Sequence, residues 1–197
     1  MRAALEAKRL PRVEVRDGLA SSVPVVDGWA DAVIAAQSFH WFADDEALEE
    51  MHRVLKPGGK LGMIWNIEDY NQPMKWSPST QWEGKLKQLV LELAPDGPPR
   101  FRDDKWWQVF ERQSRADKPL FSTPIGQEKV AFEVWLSKER LWDRIDTLSQ
   151  VATLQGASKE AFKARFEQIL REGDGTWNEA GEIRFHGATV YAWTTRL

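Results

Sequence analysis

DAVIAAQSFHWFADDEALEEMHRVLKPGGKLGMIWN, residues 31–66, carries two kinds of hydrophobic periodicity in immediate succession. Its opening run, Ala32 to Ala36, is continuously apolar, the pattern of a strand covered on both faces and therefore central in a parallel sheet. Asp44 then stands as an N-cap, with Asp45 and Glu46 in a first turn where carboxylates suit the positive end of the helix dipole. Leu48, Met51, Val54 and Leu55 recur at helical spacing until Pro57-Gly58-Gly59 stops the helix. Leu61 to Trp65 reads as a second apolar strand. Strand, helix and strand with short joints make a right-handed crossover, so this stretch predicts an α/β sheet.

Upstream, residues 1–9 are strong helix formers and read as the last turns of a helix. Val13 and Val15 alternate with Glu14 and Arg16, which predicts a short strand ended by the turn pair Asp17-Gly18. Downstream, Asn66 to Ser79 is polar and broken by Pro73 and Pro78. Ser77 and Pro78 cap and open a helix carrying Trp82, Leu86, Leu89, Val90 and Leu93, and Pro95 to Pro99 breaks it. A short helix around Asp103 to Phe110, a strand at Lys129 to Trp135, and helices from Ser137 and Ser158 follow. Glu182 to Thr194, β-branched and aromatic, closes the sheet, with Gly187 as a bulge or bend.

Apolar residues make up 42% of the 197 and charged residues 29%, close to ordinary globular values, so one folded domain over residues 1–197 is expected. The formal net charge of -3 offers no basic field to attract nucleic acid or anionic lipid. With no cysteine there is no disulfide framework, thiolate metal site or cysteine nucleophile. The dispersed histidines, His186 among them, do not assemble a metal site with Asp103 and Asp104. No apolar run reaches bilayer length and no signal sequence opens the chain, which reads as soluble and cytoplasmic. The 11 tryptophans serve core packing or wall a pocket for a flat, apolar small molecule.

Four marks taken in order resemble the class I S-adenosylmethionine (SAM)-dependent methyltransferases, in the branch acting on small molecules. They are Asp17-Gly18 after a strand, the strand from Asp31 to Ile34 leading into Gln37-Ser38-Phe39-His40-Trp41-Phe42, the helix Ala47 to Leu55 closed by Lys56-Pro57-Gly58-Gly59, and the strand Leu61 to Trp65. The resemblance implies an incomplete Rossmann-like fold: a mostly parallel sheet with an antiparallel C-terminal strand and helices on both faces. Residues 1–66 are then the remnant of a cofactor-binding half, and residues 67–197 the substrate side.

The same resemblance implies roles. Asp17 matches the residue that faces the adenine ring, although an aspartate before glycine is equally a turn residue. Gln37 and Ser38 fall beyond the end of a central strand, where open α/β sheets place ligands, and would touch cofactor. His40 is a candidate general base, or a structural histidine bonded to a loop carbonyl. Phe39, Trp41, Trp65 and Asn66 would line a substrate pocket. The family's glycine-rich turn and ribose-binding acidic residue do not precede Asp17, so most of the SAM grip is missing. In the complete fold further strands lie between those at Val13 and Ala32, and without them both edges are unpaired. Either the first strand pairs directly with the central one, or a second copy completes the sheet as a homodimer.

Three functions follow. The first is a SAM-independent enzyme, without cofactor, that isomerises, cyclises or eliminates on a small apolar or aromatic molecule. The second is a methyltransferase whose SAM site a partner chain completes. The third is a non-catalytic binding or regulatory relative. The first is the expectation carried forward.

Overall fold

The computed structural model describes residues 2–93, 97 and 99–197. Its elements are α1 (Arg2–Glu6), β1 (Ala30–Ala36), α2 (Asp45–Val54), β2 (Leu55–Glu68), α3 (Gln81–Leu91), α4 (Gln108–Ser114), β3 (Gly126–Ser137), α5 (Lys138–Asp146), α6 (Ser149–Ala152), α7 (Gly156–Glu172) and β4 (Glu182–Thr195). Four strands form one sheet in the order β1-β2-β4-β3. β1 and β2 are parallel, with Val33 opposite Leu61 and Ala35 opposite Met63. β4 runs against β2: Arg196 donates its amide to Gly59 at 2.9 Å, whereas Thr189, seven residues earlier, meets Asn66 at 2.8 Å. The α/β class and the antiparallel closing strand are therefore those the sequence implies.

Four local expectations are corrected. Residues 13–18 adopt no regular secondary structure. A strand is held by a neighbour's ladder, and here Arg16 instead binds Glu14 at 2.7 Å and the Pro24 carbonyl at 2.8 Å. The expected direct pairing of a first strand with β1 is therefore absent among the described residues. β1 is an edge strand rather than a central one, and Ile34 in its middle is 72% exposed. Helix α2 ends at Val54, before the Lys56-Pro57-Gly58-Gly59 run, which lies inside β2 as a bulge between the Ala30–Leu55 and Ala32–Lys60 pairings. Glycine is required there: Gly58 has φ +75°, and a Cβ on Gly59 would meet the Lys56 and Asp31 carbonyls at 2.8 and 3.1 Å. Helix α3 begins at Gln81, capped by Thr80 rather than Ser77, with the Asp174 carboxylate accepting from the Gln81 and Trp82 amides at 2.9 Å each. Of the break expected at Pro95 to Pro99, Pro95, Asp96 and Pro98 lie outside the described residues.

The Asp44 cap is as expected, accepting from the Ala47 amide at 2.8 Å, and α5 starts where expected, with Ser137 as its cap. Among the described residues no helix is long and apolar enough to cross a membrane.

The chain divides into two compact units, residues 1–64, 106–127 and 192–197, and residues 65–105 and 128–191. In the first, Phe39, Leu48, Leu55, Leu61 and Phe121 are fully buried. Arg53 on α2 gathers the preceding loop, donating to Glu50, Asp27 and the Val25 carbonyl at 2.7, 2.7 and 2.9 Å, while Glu50 accepts from the Val23 amide at 2.6 Å. In the second, Trp82, Leu86, Leu141, Phe166, Ile183 and Phe185 pack as one core. Here α3 meets β4 through a polar contact: the fully buried Glu83 carboxyl accepts from the His186 backbone amide at 2.6 Å and lies 2.9 Å from the His186 Nδ1. Gly187 beside it is closed in, because a Cβ would meet Phe132 at 2.5 Å and the Ile67 carbonyl at 2.7 Å.

Candidate functional site

The sequence run from Gln37 to Phe42 forms a tight turn off the end of β1. Gln37 has φ +56° and donates its amide to Ile64 at 2.8 Å, so the chain leaves the strand in a left-handed residue that is not glycine. That geometry costs about 1–3 kcal/mol and is concentrated at functional positions. Ser38 precedes the 3-10 turn Phe39–Trp41 without bonding it through its side chain. Phe39 is fully buried, its ring stacked on Phe110 with centroids 5.6 Å apart and edge-on to Trp106 at 6.5 Å. His40 is half-buried and lies against Trp41 at 5.4 Å, while Trp41 is exposed. The turn therefore anchors one aromatic in the core and presents the next two side chains outward.

Asp17, also in this unit, is exposed and ion-paired with Arg2. Trp65 and Asn66 belong to the second unit. Trp65 is fully buried against Phe101, centroids 4.9 Å apart, which is core packing. The exposed Asn66 accepts from the Thr189 hydroxyl at 2.8 Å.

A cavity of about 520 Å³ lies in the first unit between α4 and the segment entering β3. Trp107, Phe110, Pro124 and Ile125 give it apolar walls, and Glu111 and Gln127 add polar groups. This is the size and character of a small-molecule site. Trp107, Phe110, Glu111 and Ser114 line it at the spacing of one helix face. Ser114 donates to the Glu111 carbonyl at 2.8 Å, and the Glu111 carboxylate accepts from Arg115 at 2.6 Å. Where β3 begins, a Cβ on Gly126 would fall 2.2 Å from the Trp193 ring, so only glycine admits that ring. The sequence reading missed this pocket. The adjacent pair Trp106-Trp107 was its available signal, one ring buried and the next at the surface.

Residues 1–63 match the family model described as a methyltransferase domain. Over 164 residues, 83% of this chain, it is 32% identical to an uncharacterized methyltransferase-like protein of Schizosaccharomyces pombe and 34% identical to an uncharacterized methyltransferase of the same yeast, covering 58% and 59% of them. A candidate type II methyltransferase from Anaeromyxobacter dehalogenans superposes with a TM-score of 0.55 at 14% identity, over 94% of this chain and 72% of the other. These similarities support a class I SAM-dependent methyltransferase family for the chain, the family model itself covering only residues 1–63. The chain spans about three-fifths of the curated relatives' length.

SAM is the cofactor this family implies, and the residues described here do not by themselves fit it. The adenine-facing candidate Asp17 has a side chain 78% exposed and engaged by Arg2, and no strand precedes it to set its direction.

Proposed function

We propose that this chain forms the acceptor-substrate side of a SAM-dependent methyltransferase acting on a small, flat, apolar molecule, with the glycine-rich cofactor segment supplied from outside the stretch described here. The aromatic-walled cavity beside α4 carries this reading, joined through Phe110 to the turn that holds His40. The names of the fission yeast relatives, and their additional length, support methyl transfer. His40 and the Gln37-Ser38 turn are the groups nearest in sequence to where such enzymes place their reacting ligands.

Isothermal titration of the chain with SAM, alone and co-expressed with the part of a fission yeast relative that this chain does not cover, tests the proposal. Binding only in the complemented form is expected. Failure of the complemented form to bind SAM while 2-naphthol still binds the cavity would overturn it and favour the SAM-independent enzyme, a reading supported by the engagement of Asp17 with Arg2.

A further inference from the structure

The second unit contains a buried acid and an imidazole that the reading above does not use. Glu83, on the first turn of α3, is completely enclosed, and three donors fix its carboxylate: the His186 amide at 2.6 Å, the Thr80 hydroxyl at 2.6 Å and the His186 ring Nδ1 at 2.9 Å. Burial is the largest influence on this carboxyl and raises its pKa, and the bonds from Thr80 and His186 oppose the rise.

When ionised, this carboxylate only accepts, which holds the proton of a neutral imidazole on Nδ1 and leaves Nε2, on the other side of the ring, as the acceptor. The His186 side chain remains 13% exposed. On the Nε2 side lies Glu133 of β3, its Oε1 at 3.7 Å, beyond hydrogen-bond length, and Glu133 is itself shared with Arg184 at 3.5 Å.

Position adds to geometry. Asn66 and Ile67, next to the carboxyl end of β2, neighbour Thr189 and Gly187 of β4, so His186 lies at the edge where α/β sheets receive ligands. A purely mechanical tie between α3 and β4 is already made by the Glu83 bond to the His186 backbone. The imidazole adds a partly exposed ring whose Nε2 lies away from the Glu83 carboxylate.

We propose that Glu83 and His186 form a proton-accepting dyad for a hydroxyl or amine group of a small-molecule substrate. The substrate O–H or N–H bond breaks, its proton forms a bond to Nε2, and the electron pair stays on the oxygen or nitrogen as a nucleophile. Glu83 is the positioning residue, selecting the tautomer and balancing the imidazolium charge. The dyad stands whether or not methyl transfer is the reaction.

The chain has three histidines, so the test is direct. Long-range nitrogen–proton correlation spectra of the labelled chain are expected to show His186 protonated on Nδ1. Diethyl pyrocarbonate should then modify Nε2, and Glu83→Gln should slow that modification by about tenfold with the amide spectrum retained. With 4-nitrophenyl acetate as the probe, the wild-type chain should hydrolyse about tenfold faster than His186→Asn. A proton on Nε2, resistance of His186 to the reagent, or equal hydrolysis by the two proteins would overturn the dyad. Should Glu83→Gln fail to fold, the wild-type tautomer and the hydrolysis comparison still decide.

Discussion

The rings of Phe39 and Phe110 stack with centroids 5.6 Å apart and planes 24° from parallel, so one aromatic joint connects the turn after β1 to the helix lining the pocket. Phe110 is buried, and Phe110→Ala should destabilise the fold by about 3–5 kcal/mol, because the space it leaves cannot collapse against Phe39. Chemical denaturation measures this. Trp107, 37% exposed, is the contrasting case. Trp107→Ala should change stability by no more than about 1 kcal/mol, yet weaken 2-naphthol binding by about tenfold in a fluorescence titration. Unchanged affinity would remove this cavity as the substrate site.

Two glutamates, Glu50 and Glu83, should move stability in opposite directions with pH. The Arg53 guanidinium bonded to Glu50 holds its carboxyl below the usual range. Its contribution is therefore present above the unfolded pKa and fades as pH falls through the lowered folded value. Arg53→Ala should abolish that acid-side loss and speed hydrogen exchange in residues 23–28, the loop it gathers.

Burial pushes Glu83 the other way. Its contribution is complete below the unfolded carboxyl pKa, about 4.5, and is lost as pH rises through the raised folded value. Melting temperatures across that window should decline less steeply in Glu83→Gln than in the wild-type chain. Equal slopes would mean that Glu83 titrates like an exposed acid.

β1 leaves the sheet with an open edge, and Ile34 is largely exposed in the middle of it. Such an edge is a template for another strand. The proposed homodimer through this edge predicts that Ile34→Lys converts a two-chain species into a monomer in sedimentation velocity, with its circular dichroism unchanged. A wild-type monomer would exclude the homodimer.

The sequence of residues 31–66 was sufficient for the α/β class, the Asp44-capped helix and the two parallel strands, because hydrophobic period and capping are local properties. The closing strand at Glu182 to Thr194 was legible as a strand for the same reason, while its antiparallel direction came from the family resemblance. Continuous apolarity in Ala32 to Ala36 predicted a strand covered on both faces, whereas Ala32, Ile34 and Ala36 are exposed, because periodicity does not show which neighbours are present. That depends on the ladder partners, and only the tertiary structure placed β1 at the edge. Val13 and Val15 failed as a strand for a related reason: alternation over so few residues has no stability without a partner.

The candidate groups Gln37 to Trp41 are adjacent in sequence, and one turn holds them together. The cavity beside α4 and the Glu83–His186 pair, 103 residues apart in the chain, were invisible to spacing. Packing alone brings the members of each together, and burial, another product of packing, shifts the Glu83 carboxyl. The sequence by itself therefore determined the elements and their chemical inventory, while the tertiary structure decided which edge is open, which rings enclose a cavity and which acid faces which imidazole.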